Sequence, residues 1–202
     1  MFFKSKMLLL PGLIFLVTLL SGCNDKLPAE LAGLADQKSL DRYAALPADS
    51  GLLLCLQSDG VLGKLPNLGP DGKQLGRFGP STLVAVSRDL VPDLAEVDGL
   101  TGFVLWGDDQ AAGKLDPMLR TALLGDMAQP NWREKEHAII GTFDDGAGLK
   151  EALVSAGAKP GSVNGGIVTF DATSEVIFDI LAWDNLRQLE KPTLLHPTQS
   201  VK

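Results

Sequence analysis

Four stretches of the chain share one pattern, and that pattern limits what it can fold into. "LLLCLQSDGVLGKL", "LVAVSRDLVPDLAEV", "AIIGTFDDGAGLKEAL" and "FDILAWDNLRQL" each run through apolar residues over the length of a strand. Each then reaches an aspartate (Asp59, Asp89, Asp145, Asp184) and goes on with Leu or Val at helix-like spacing. An aspartate at such a junction is a natural helix N-cap, because its carboxylate accepts backbone N–H bonds that the first turn cannot satisfy. No fixed period separates the four units, which excludes a uniform solenoid. The pattern predicts an α+β fold: a single domain, a mixed or antiparallel sheet, helices packed mainly on one face, and βαβ-like pieces.

The remaining segments fill in this outline. "TGFVLWG" (101–107), "EHAIIGTF" (136–143) and "GGIVTFDA" (165–172) have the β-branched and aromatic content of strands. "DPMLRTALLGDM" reads as a helix with Asp116 as cap, Pro117 in the first turn and Gly125 as its stop, and "GLKEALVSAG" reads as another. "EVIFDILAW" (175–183) is apolar at nearly every position, so periodicity does not separate a central strand from a buried helix; its Val, Ile and Phe content favours strand. Residues 23–50 read as a tether with one broken helix or two short ones, with Pro28 in a first turn and Ser39 as a candidate cap. The α+β domain is expected over 51–190, and 191–202 as an irregular tail.

The N-terminus has a different character. "MFFKSK" carries Lys4 and Lys6 and no acid, and a fourteen-residue apolar run, Met7 to Leu20, follows. As a helix that run spans about 21 Å at ~1.5 Å per residue, short of the ~30 Å hydrocarbon core of a bilayer. A basic head, a short apolar middle and a small-residue exit make a secretory signal peptide. The exit, Leu20-Ser21-Gly22-Cys23, resembles the lipobox of bacterial prolipoproteins. The resemblance covers residues 1–23. It implies cleavage after Gly22, acyl chains on Cys23, and a domain outside the cytoplasm that meets the membrane through lipid. Asn24, rather than Asp, follows the cysteine, which points to the periplasmic face of the outer membrane more than to the inner membrane. "LPADSGLLLCLQSDGVLGKLPNL" resembles, more loosely, bacterial envelope domains of unknown function. That likeness implies an α+β sheet with helices on one face and no activity.

Charge narrows the function. Loss of residues 1–22 would leave 180 residues with 16 basic and 25 acidic side chains, net −9. An acidic balance argues against nucleic acid, which needs a cationic face. Besides Cys23 there is only Cys55, inside the apolar run "GLLLCLQ", where burial as a small hydrophobe is expected. His137 and His196 stand far apart without metal-binding or catalytic company, and no phosphate loop or nucleophile elbow is present. "DDGAG" (144–148) lies where phosphate loops sit, but its acids would repel phosphate. The adjacent pairs Asp108-Asp109 and Asp144-Asp145 read as loop caps before metal ligands. No catalytic residue, metal or cofactor is assigned.

One segment is not explained by folding. "GVLGKLPNLGPDGKQLGRFGPS" (60–81) holds six glycines and three prolines, repeats a Leu-Gly unit, and carries Lys64, Lys73 and Arg77 against Asp71. Loops longer than about 12–15 residues are uncommon unless functional or disordered. Lys64, Leu68, Lys73, Leu75, Arg77 and Phe78 are the candidate partner-binding residues. The sequence therefore ranks a lipid-anchored, non-catalytic binding or scaffolding module for an envelope protein first. A carrier of a small or lipidic ligand comes second, and an enzyme third.

Overall fold

A computed structural model describes residue 27 and residues 29–192, apart from 61, 66, 67 and 69–71. Cys23, the rest of the N-terminal segment, Pro28 and His196 lie outside the described residues. The chain enters through α1 (Ala29–Ala32) and α2 (Gln37–Ala45). A first group of strands follows: β1 (Leu52–Ser58), β2 (Lys73–Phe78), β3 (Ser81–Val86) and, after the short helix α3 (Val91–Leu94), β4 (Leu100–Asp108). A second group begins with α4 (Ala111–Lys114) and α5 (Pro117–Asp126). It continues through β5 (Glu136–Phe143), α6 (Leu149–Ser155), β6 (Lys159–Asn164), β7 (Ile167–Thr173), α7 (Ser174–Leu181) and β8 (Leu186–Glu190).

The fold is α+β, with two four-stranded antiparallel sheets ordered β2-β3-β1-β4 and β6-β7-β5-β8. The two orders are the same once the second is shifted by four strands. In each sheet the third and fourth strands flank the first, both antiparallel to it, and a helix joins them. These are the βαβ-like pieces, each split by an inserted strand. Smaller features repeat as well. Ala35 makes a parallel bridge to Phe103 of β4, and Leu115 makes one to Leu189 of β8. The next residue in each case, Asp36 or Asp116, caps the following helix. The molecule is thus two copies of one topological unit.

The copies stack so that one helical layer serves two sheets. The outer face of the first sheet (Leu52, Leu54, Leu56, Val84, Val86, Phe103, Leu105) packs on Leu31 of α1, Tyr43 of α2 and Val91 and Leu94 of α3. Its inner face (Leu53, Cys55, Leu83, Val104, Trp106) shares a core with α5, α7 and the inner face of the second sheet. α5 touches β2, β3 and β8, and α7 touches β4 and β7. Burial on both faces explains why β1 reads as an unbroken apolar run. β5 instead alternates buried and exposed residues, because the far face of the second sheet meets solvent.

Four expectations need correction. Residues 174–181 form helix α7, not a strand. The helix lies between two sheets, so Ile177, Phe178, Ile180 and Leu181 are all buried, and an almost wholly apolar helix results. The four echoed aspartates cap no helix. Asp59 falls in a bend and Asp89 inside a 3₁₀ turn, Asp145 accepts the Ala147 N–H ahead of Gly148, and Asp184 precedes a strand. The caps are Asp36, Asp116 and Thr173. Ser39 sits within α2, and its hydroxyl accepts the Leu105 N–H at 3.0 Å. Residues 29–45, expected beside the tether, pack into the core through Leu31 and Tyr43.

Candidate functional site

The segment 60–81 divides into three parts. Leu62 is buried, and Leu65 and Leu68 pack against the outer core. The Gly63 N–H bonds the Asp98 carbonyl at 2.8 Å, and a Cβ on Gly63 would lie 2.9 Å from that oxygen, so only glycine fits there. The leucines of this part are anchors rather than displayed surface. Residues 73–78 form β2, and Gly79-Pro80 turns the chain into β3, with Gly79 at φ +54°.

β2 is the edge of the first sheet. Its register sets Lys73 opposite Ala85, Gln74 opposite Val84, Arg77 opposite Thr82 and Phe78 opposite Ser81, with a bulge between Gln74 and Gly76. The bulge lets Leu75 pack on the inner core. Lys73, Gln74, Arg77 and Phe78 are exposed, and the Phe78 ring, 49% exposed, lies over Gly125 at the end of α5. Of the six expected contact residues, Lys73, Leu75, Arg77 and Phe78 share this strand. Lys64 is exposed in the preceding segment, and Leu68 is half-buried there. None of Lys64, Lys73 and Arg77 forms an ion pair among the described residues.

Sequence spacing did not reveal two other clusters. The first joins the two units. Glu175 of α7, 6% exposed, contacts Arg42 of α2 and lies 3.4 Å from Lys38 and 3.2 Å from Arg133; Arg42 also bonds Asp179 at 2.7 Å. Burial alone would lower the Arg42 pKa, but hydrogen bonds and charge from Asp179 and Glu175 outweigh it and raise it. Beside this network a cleft of about 440 Å³ opens between Leu46, Asp108 and Asp179, with Trp106 and Phe178 at its floor.

The second cluster is His137 with Ser174 and Asp126. All three meet at one ring nitrogen: His137 Nε2 lies 3.0 Å from Ser174 Oγ and 2.8 Å from Asp126 Oδ2. A Ser-His-Asp relay needs serine and carboxylate on opposite ring nitrogens, and Ser174 is buried at the start of α7. The cluster fastens β5 to the ends of α5 and α7. Burial pulls the imidazole below its ordinary 6.5; Lys191 reinforces this and Asp126 opposes it.

Cys55 is fully buried in the inner core, and burial pushes its thiol up to about 12. Among the described residues no group of three or more His, Cys, Asp or Glu is placed to hold a metal ion, and no helix is long and apolar enough to cross a membrane.

Fold and site together define an α+β protein of two stacked, topologically equivalent units with an exposed cationic edge strand. Comparison with protein-family models, with curated proteins and with solved structures finds no match in any of the three.

Proposed function

We propose that the chain is a bacterial cell-envelope lipoprotein, held by acyl chains on Cys23 at the periplasmic face of the outer membrane. Its folded part is a non-catalytic binding or scaffolding module, and β2 carries part of its contact surface. One observation carries the binding reading: a surface strand that displays Lys73, Arg77 and half of the Phe78 ring on a chain of net charge −7. An exposed aromatic beside cations that form no ion pair among the described residues suits a protein partner with an acidic patch. The anchor rests on Leu20-Ser21-Gly22-Cys23 and the apolar run before it. Two or more acyl chains give stable attachment where one does not.

Two experiments test this. Cells fed a clickable palmitate analogue should label the wild type and not Cys23→Ser; equal labelling removes the anchor from the reading. Partners retained by the full chain from solubilised membranes should be lost with Lys73→Glu/Arg77→Glu, and full retention removes β2 as the contact. The cleft between the units favours a second reading, a carrier of a small or lipidic ligand, which a co-purifying lipid at near-equimolar ratio would support.

A further inference from the structure

We infer that β2 takes its partner by strand addition: an extended acidic segment of another protein lies along β2 as a fifth strand of the first sheet. This rests on the reading of β2 as a contact surface and adds the mode and the chemistry of what it binds. The argument begins with the four sheet edges. An edge strand presents unpaired N–H and C=O groups and invites pairing unless something blocks it.

Three of the four edges are closed. The edge of β4 is covered by the chain that leads into α2. The Phe103 N–H bonds the Leu34 carbonyl at 3.2 Å, the Leu105 N–H bonds Ser39 Oγ at 3.0 Å, and Arg42 Nη1 donates to the Leu105 carbonyl at 3.4 Å. The edge of β8 is covered at the equivalent place. The Asp116 N–H bonds the Leu189 carbonyl at 3.0 Å, and the Lys191 N–H bonds Asp116 Oδ2 at 2.8 Å. The edge of β6 is broken by Pro160, which has no N–H to offer an added strand. The edge of β2 carries a bulge between Gln74 and Gly76, but it has neither proline nor a covering segment among the described residues.

Charge decides what can pair there. The bulge leaves Lys73, opposite Ala85, and Arg77, opposite Thr82, on opposite faces of the sheet; in-register parallel pairing with a second copy sets each cation against itself. Like charges directly opposite destabilise a strand pair, and opposite charges stabilise it. The cations thus repel an in-register second copy and, one on each face, select a strand bearing Asp or Glu on both faces. The wider segment agrees: from Gly60 to Pro80 the only acid is Asp71, against Lys64, Lys73 and Arg77. Phe78, beyond Arg77, offers apolar contact to a β-branched neighbour on the added strand. The fitting partner is an extended stretch of about six residues that mixes acidic with β-branched apolar side chains, matched in length to β2.

The test uses the full chain in detergent and three eight-residue peptides. The first mixes Glu with Val and Thr so that acids fall on both faces of the added strand. The second is the same with alternate backbone amides methylated, which removes donors and keeps charge. The third has Lys for Glu. Strand addition predicts that the Glu peptide binds and slows hydrogen exchange of β2 amides. It predicts at least tenfold weaker binding on methylation, on Lys-for-Glu exchange, and with Lys73→Glu/Arg77→Glu. Binding of the methylated peptide within twofold of the parent, but lost in the charge variant, overturns strand addition and leaves β2 as a charge-selective contact. Glu-peptide binding that is absent at millimolar concentration, or unchanged in the charge variant, overturns both. A concentration-dependent dimer that shields the β2 amides overturns the choice of an acidic partner over a second copy.

Discussion

Phe178→Ala probes the packing that joins the two units. The ring is 1% exposed. It stacks on Trp106 of the first sheet, with centroids 4.8 Å apart at 22°, and tilts against Trp132 at 5.8 Å. The Arg42 guanidinium lies 5.7 Å from its centre. Truncating a buried phenylalanine costs about 3–5 kcal/mol. The aromatic pairing itself is worth about 0.5–1.5 kcal/mol, which places this site in the upper half of that range. The neighbouring cleft lets water reach part of the gap and holds the cost near about 4 kcal/mol. At about 2–4 °C per kcal/mol for a domain of this size, Tm should fall by about 8–16 °C. Urea unfolding of the full chain, followed by far-UV circular dichroism and by tryptophan fluorescence, measures both quantities. Because α7 serves both sheets, the two signals should keep one midpoint and shift together. A loss below about 0.5 kcal/mol, the range of ordinary surface substitutions, would show that α7 does not hold the sheets together.

Other consequences follow from the buried polar groups. Glu175→Gln should cost about 2–3 kcal/mol in urea unfolding: Lys38 and Arg133 are half exposed and weakly bound, but Arg42 loses a desolvated partner and keeps Asp179; a cost under about 0.5 kcal/mol would contradict this. His137 is held below its ordinary 6.5, so the unfolded chain binds the extra proton first. Stability should therefore fall as pH drops from 6.5 towards the depressed folded value, and His137→Gln should flatten that slope in a series of unfolding curves. Cys55, with its thiol at about 12, should react with maleimide at pH 8 far more slowly than free cysteine. Cys55→Asp should destabilise by several kcal/mol through burial of an unpaired charge, which a thermal melt reads directly.

Much of this architecture was legible in the residues. β1, β4, β5 and β7 carry the apolar or alternating pattern of strands, and Asp116-Pro117 announces α5 by local chemistry alone. What stayed hidden depends on neighbours distant in sequence. α7 reads as a strand because its surroundings, two sheets, strip it of a polar face. Asp36 caps α2 within a stretch whose packing against β4 no periodicity reveals. The echo among the four apolar runs reflects a duplicated unit, yet only two of the runs, those through β1 and β5, occupy equivalent places. Of the candidate contact residues, Lys73, Arg77 and Phe78 were legible as an unexplained cationic and aromatic surface. Their arrangement as an edge strand was not, since glycines at 72, 76 and 79 resemble loop punctuation. His137, Ser174 and Asp126 lie on three separate elements, so linear spacing carried no sign of their meeting.

The account stands or falls on whether β2 touches a partner in the cell. A photo-crosslinking phenylalanine analogue placed at position 77 of the full chain tests this in living cells, with position 169 on the solvent face of the second sheet as control. Both sites are exposed; Thr169 gives up only solvent-facing hydrogen bonds with Ser162 at the edge of the second sheet. The account predicts a discrete crosslinked species from position 77 and none from position 169. Crosslinks from position 169 with none from position 77 would contradict it.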